Sequence, residues 1–207
     1  MQIRVIDRQK NYVKGGFLNV INFGQTPIID FRSQINGKGR ELIELGRYCD
    51  RLGGVTLVGA ESDNCGIKRK SVFVFKGASL VSICDMNACE EKYNLACGYK
   101  IIEFGAKKIG VLVDRDIFSP TAVHSLSLCG VSAIIDLYAG FLARKAQIAC
   151  EFYSYVYGVD IFCSCKNESC CFSALGDEIK EDEGGFFTVK GEGVFSDVKI
   201  KRRGKGI

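Results

Sequence analysis

The segment KIGVLVDRDIFSP, residues 108–120, combines the features that decide the fold. Its first half is an apolar run, which is typical of a buried strand. Charged residues then end the run, and Ser119 followed by Pro120 is the pattern of a helix N-cap with proline at the first helical position. The segment therefore predicts a strand at 108–113, a polar turn, and a helix at 120–129.

Similar patterns continue on both sides of this segment. Further buried strands are predicted at 55–60, 71–75 and 131–136, and further helices at 39–52 and 141–157. A Lys-Gly pair at residues 76–77 separates two apolar runs and predicts a β-hairpin. Because hairpins are interspersed among alternating strands and helices, we expect a layered α/β sandwich with mixed sheets, not one parallel sheet.

The composition indicates a single globular domain over residues 1–207. The chain is 47% hydrophobic and has a formal net charge of only +4, which suits a substantial core. The N-terminus MQIRVIDRQK lacks a secretory apolar region. Apolar runs such as VSAIIDLYAGFLA are too short to span a bilayer. We therefore expect a cytoplasmic protein without a membrane partner.

The basic charge is concentrated in KIKRRGKGI, residues 199–207. No aromatic stacking platform lies beside this segment, so we interpret it as a solvated tail and expect no nucleic-acid partner.

The chain is cysteine-rich, with 11 cysteines. Without an export signal, they are expected to be reduced thiols. The segment CSCKNESCC contains Cys163, Cys165, Cys170 and Cys171, enough thiolates for one zinc ion. Its spacing is not that of a familiar zinc knuckle, so the cysteines are interpreted as small buried residues. The sequence thus predicts no metal site and no cofactor.

Read with its flanks, the opening segment resembles the nitrilase, or carbon–nitrogen hydrolase, superfamily. That family has a pattern like G-(K/R)-I-G-V-L-I-C-Y-D-x-R-F-P-E followed by a helix of the type A-R-x-L-A-x-x-G-A-D, and here the chain reads AKKIGVLVDRDIFSPTAVHSLSLCGVSAIIDL. The residues that fall on family positions are Gly110, Asp116, Pro120, Leu126 and Gly130. LVGAESDNCGIKRKSVFVFKGASLV, CEEKYNLACG and ARKAQIACEFYSYVYGVDIFCSC are similar to further family motifs, so the resemblance covers about residues 40–180.

This resemblance implies a nitrilase-like four-layer α-β-β-α sandwich. It also implies a site with a cysteine nucleophile, a lysine that stabilises the oxyanion, a glutamate base and often a second glutamate. Family members pair through the helices that follow the nucleophile strand and the next strand. A homodimer is therefore expected, with Tyr153 or Tyr155 of the helix at 141–157 buried in the interface.

The catalytic groups of that family are largely unmatched in this chain. Asp114 stands at the nucleophile position, Cys84 or Asp85 at the lysine position, and Glu91 or its neighbour Glu90 at the assisting glutamate position. Residues 11–29 contain no acidic residue where the base is expected. We therefore expect a pocket of several carboxylates, which raise one another's pKa values.

Three hypotheses for function follow. The first is a carbon–nitrogen hydrolase homologue that is catalytically inactive and acts by assembly or by binding a small-molecule ligand. The second is an amide or nitrile hydrolase with a rearranged site that uses Asp114 or Cys84. The third is a metal-binding or redox protein built on the cysteines. Whether the protein is an enzyme stays open at this stage.

Overall fold

The computed structural model describes residues 1–88, 93–94, 98–140, 144–166 and 168–191. The strands in these ranges are β1 Gln2–Val5, β2 Leu18–Ile21, β3 Ile29–Asp30, β4 Val55–Asn64, β5 Ile67–Lys76, β6 Ser79–Asp85, β7 Lys100–Phe104, β8 Lys107–Val113, β9 Ala133–Leu137, β10 Asp160–Ser164, β11 Ser169–Phe172 and β12 Phe186–Thr188. The helices are α1 Phe31–Ile35, α2 Glu41–Leu52, α3 Pro120–Leu128 and α4 Arg144–Tyr157, and a 3-10 helix covers Asp114–Phe118.

The strands of the described residues form two mixed sheets. The first has the order β12-β1-β2-β4-β5-β6, with β3 pairing to β4, and the second has the order β11-β10-β9-β8-β7. The predicted hairpin is the antiparallel pair β5–β6, whereas β8, β9 and β10 are parallel neighbours. The expectation of mixed sheets is confirmed, and each sheet contains two of the four predicted buried strands.

Strand alternation builds four layers from these two sheets. In β4, Leu57 packs into the core between the sheets, and its neighbour Val58 packs on the outer side with residues of α2. In β8, Val111 faces the same inter-sheet core, and Leu112 packs on the outer side with residues of α3 and α4. Successive side chains of a strand point to opposite faces, so both faces of each sheet are covered. The predicted α-β-β-α sandwich is confirmed.

The opening segment folds as its residues predict. Ser119 Oγ accepts a hydrogen bond from the Ala122 backbone N–H at 3.3 Å, and Pro120 is the first residue of α3. Gly110 of β8 lets this helix approach closely, because a Cβ there would lie only 2.9 Å from Leu126 Cδ1. The strand, the cap and the glycine together place α3 directly on β8.

Two predicted features extend past the described residues. The predicted helix at 141–157 corresponds to α4, Arg144–Tyr157. Residues 141–143 and the basic tail at 199–207 lie outside the described residues. In the part of the chain that the structure describes, no helix is both long enough and apolar enough to cross a membrane. The single-domain assignment stays a prediction.

Candidate functional site

Asp114 lies at the point where β8 ends and the 3-10 helix begins. Its φ of 55° is in the left-handed region, which aspartate and asparagine tolerate better than most residues. The side chain is buried, and its Oδ1 accepts a hydrogen bond at 2.9 Å from the backbone N–H of Ala139, just after β9. The sharp turn therefore fixes a carboxylate at the carboxyl ends of two parallel strands.

Lys70 supplies the positive charge beside this carboxylate. It lies on β5 of the first sheet, and its Nζ is 2.6 Å from Asp114 Oδ2. The Lys70 and Asp114 side chains are only 11% and 4% exposed, and Nζ also lies 4.9 Å from the centroid of the Tyr93 ring. This buried ion pair joins the two sheets at the end of their shared core.

The resemblance places the lysine of that family near Cys84 or Asp85. Lys70 instead reaches Asp114 from the preceding strand, so a lysine lies beside a carboxylate of the expected pocket. The alternation of side chains along β5 could have placed Lys70 on the inner face of the sheet. Val72 and Val74 face the inter-sheet core. Lys70 is two positions before Val72, so its side chain lies on the same face.

Cys84 and Asp85, the two candidates for the lysine position, lie on opposite faces of β6. Cys84 pairs with Val72 and is buried in the inter-sheet core, where desolvation raises its thiol pKa to about 12. Asp85 pairs with Ser71, accepts a 2.6 Å hydrogen bond from its Oγ, and lies 2.5 Å from Arg69 Nη1. Asp85 therefore lies on the outer face of the first sheet, opposite the inter-sheet core that contains Cys84.

Asp116 has a structural role in the turn, as its position after the strand indicates. Its carboxylate accepts hydrogen bonds from the backbone N–H groups of Asn87, at 2.9 Å, and Ala88, at 2.6 Å. It therefore ties the segment after β6 to the 3-10 helix. Burial raises the pKa of Asp116, and these hydrogen bonds oppose the rise. Glu90 and Glu91, the candidates for the assisting glutamate, lie outside the described residues.

A small cavity of about 220 Å³ shares Ala139 with the surroundings of the ion pair. Its wall includes Ala139, the residue whose N–H binds Asp114, together with Thr26, Glu61 and Lys166. Glu61 is the cross-strand partner of Lys70, so the two side chains emerge on the same face of the sheet. Sequence analysis missed Glu61, which becomes a neighbour of the site only through the pairing of β4 with β5.

Comparison of the whole fold with solved structures gives a consistent result. The structure of a mutant of the Nesterenkonia AN1 amidase from the nitrilase superfamily matches with a TM-score of 0.68 and 10% identity, covering 92% of this chain and 87% of the amidase chain. A carbon–nitrogen hydrolase from Helicobacter pylori G27 matches with a TM-score of 0.62 and 16% identity, covering 78% of this chain and 71% of the other. The chain has a nitrilase-like fold.

The nitrilase-like fold also occurs within a larger protein that matches. Glutamine-dependent NAD+ synthetase from Acinetobacter baumannii gives a TM-score of 0.66 at 13% identity, and the match covers 83% of this chain but only 37% of the synthetase. No family model matches the sequence, and no curated protein matches it. Another structure of the Nesterenkonia amidase has an acetamide moiety added covalently at the active site cysteine.

Proposed function

We propose that this protein is a carbon–nitrogen hydrolase homologue that has lost hydrolysis and acts by binding or assembly. The Lys70–Asp114 ion pair, 2.6 Å long and buried, carries this proposal. A carboxylate held by an ammonium group and a backbone N–H is a weak nucleophile. Its attack on an amide would also give an anhydride, which is far less accessible than a thioester. A small ligand would bind in the 220 Å³ cavity that Ala139, Glu61 and Lys166 line.

The rearranged-site hydrolase is the alternative function. Cys84 is a poor nucleophile for it, because thiolate is the reactive form and burial raises the pKa of this thiol to about 12. Asp114 would have to leave both Lys70 and the Ala139 amide before it could attack a substrate. Both residues are also buried, whereas catalytic cysteines are partially exposed.

We expect no turnover when the purified protein is assayed with a panel of aliphatic and aromatic amides and nitriles. Ammonia release, followed before and after thiol alkylation, is the measurement. Asp114→Ala is the matched control, because it removes the carboxylate at the nucleophile position. Ammonia release that survives purification and disappears in Asp114→Ala would overturn the proposed function and establish the rearranged-site hydrolase.

For assembly, we propose a homodimer that buries the exposed face of α4. Ile148, Phe152 and Tyr155 on this helix line a shallow groove together with Leu175, and all four are at least half exposed in the single chain. Tyr153 instead packs within the chain, stacked on Tyr157 with ring centroids 5.8 Å apart. Of the two tyrosines expected at the interface, Tyr155 is therefore the one available to a second copy.

Light scattering at micromolar concentration should give the mass of a dimer. Tyr155→Glu should give a monomer, because a buried, unpaired carboxylate opposes association. Ile35→Glu, an equally apolar-to-acidic change at an exposed residue of α1, should leave the dimer intact. A monomeric wild-type protein would contradict the proposed assembly.

A further inference from the structure

Three buried cysteines converge on the helix side of the second sheet. Cys163 of β10 and Cys170 of β11 are directly paired across the two strands, and Cys150 of α4 packs against them. Their Sγ atoms all lie within 4.8 Å of one another, and all three residues are buried. Because Cys150 is distant in sequence from the CSCKNESCC segment, only the packing of α4 on the sheet completes this group.

The neighbouring cysteines of the segment differ in position. Cys165 is two residues after Cys163 and lies on the same face of the chain, with its Sγ 3.6 Å from that of Cys163. Cys171 follows Cys170 immediately and lies on the opposite face, in the core between the sheets. Cys171 is therefore a buried thiol on the same strand that takes no part in the cluster.

Asp136 places a carboxylate beside Cys163, next to the group of three cysteines. It is the partner of Cys163 on the adjacent strand β9, is fully buried, and places Oδ2 at 3.5 Å from Cys163 Sγ. Its other oxygen, Oδ1, is buried and makes no hydrogen bond within the described residues. Buried polar atoms are nearly always satisfied, so packing of small apolar cysteines does not account for a carboxylate here.

We propose that Cys150, Cys163, Cys170 and Asp136 bind one zinc ion. Zinc takes cysteine sulfur at about 2.3 Å and carboxylate oxygen at about 2.0–2.2 Å in tetrahedral sites, which separates a sulfur and an oxygen ligand by about 3.5 Å. This is the observed distance between Cys163 Sγ and Asp136 Oδ2. Tetrahedral thiolates lie about 3.8 Å apart and these Sγ atoms lie within 4.8 Å of one another, so zinc binding would draw each sulfur pair together by at most about 1 Å.

The charges of the group are consistent with this assignment. Three thiolates and a carboxylate have the same formal charge as the four thiolates of common structural zinc sites.

The site is structural, because its four ligands are all buried and leave no open position for a substrate. Zinc would hold α4 against β9, β10 and β11, on the side of the sheet opposite the inter-sheet core. Because all four ligands are buried, zinc would bind while the chain folds. The protein should therefore be expressed in zinc-supplemented medium, not loaded after purification.

Native mass spectrometry and elemental analysis test the assignment. We expect one zinc per chain in the wild-type protein and in Cys171→Ala. Cys170→Ala should bind zinc more than about 100-fold more weakly, since losing even an outer-shell partner typically costs 10–100-fold. Asp136→Asn should bind at least about tenfold more weakly than wild type. A second measurement uses wild-type protein expressed with cobalt, so it does not depend on whether a variant folds. Cobalt bound by thiolates gives an intense charge-transfer absorption.

Three results would overturn the proposal. One is wild-type protein that contains neither zinc nor cobalt after supplemented expression, with its thiols all free in denaturant. Another is zinc retained equally in Cys170→Ala, which would assign the metal to exposed thiols such as Cys65 and Cys129. The third is a wild-type mass lower by two hydrogens together with a proteolytic peptide that joins two cysteines of the cluster, which would show a disulfide there. None of these measurements depends on hydrolytic activity.

Discussion

Lys70→Met is expected to lower the free energy of unfolding by about 3–5 kcal/mol, because it leaves the Asp114 carboxylate buried without its cation. The two side chains are almost fully buried and lie 2.6 Å apart, so solvent cannot replace the lost charge. Methionine has similar length and an apolar stem, which keeps the packing change small. The measurement is urea denaturation of both proteins, analysed with the same dependence of unfolding free energy on urea concentration.

Two variants separate the charge effect from other effects of the substitution. The double variant Lys70→Met with Asp114→Asn should recover much of the loss, because asparagine tolerates the left-handed turn and still accepts the Ala139 N–H. Lys14→Met disrupts an exposed pair with Asp50, 4.0 Å apart, and should cost less than about 1 kcal/mol. A Lys70→Met effect as small as that of Lys14→Met would show that the pair does not stabilise the fold.

Asp114→Cys alone is expected to give no amide or nitrile turnover. Nucleophile, base and oxyanion donors act as a unit, so restoring one of them recovers little. Residues 11–29, where the resemblance places the base, contain no Asp or Glu. One oxyanion donor typically lowers the activation free energy by about 3–4 kcal/mol. Lys70 could supply such a donor only after a nucleophile has attacked the substrate, and without a base the introduced thiol is not activated.

Lys70 allows a second prediction for this variant, because its ammonium group would lie beside the introduced thiol. A neighbouring ammonium lowers a thiol pKa, so iodoacetamide should alkylate Asp114→Cys faster than the double variant Lys70→Met with Asp114→Cys. Reactivity toward an alkylating agent would then rise without turnover. If Asp114→Cys instead gains ammonia release that Lys70→Met removes, the chain lacks only the thiol, and the proposed loss of the remaining machinery is wrong.

Local sequence patterns were sufficient for much of the fold. The apolar run before Asp114 predicted β8, and Ser119 with Pro120 predicted the start of α3, because capping and strand burial depend on neighbouring residues. The same reasoning predicted the antiparallel hairpin of β5 and β6. The polar turn predicted after β8 contains Asp116, whose carboxylate accepts hydrogen bonds from Asn87 and Ala88.

Only the tertiary structure decided which polar groups meet. Lys70 and Asp114 are 44 residues apart and belong to different sheets, and Cys150 reaches Cys163 and Cys170 through the packing of a helix on a sheet. Period-2 alternation specifies the face of a strand on which a side chain lies, but not which strand of another sheet lies opposite it. Sequence alone therefore determined the elements and their buried faces, whereas the ion pair and the thiol cluster required the stacking of the layers, because contacts distant in sequence depend on the packing of the whole chain.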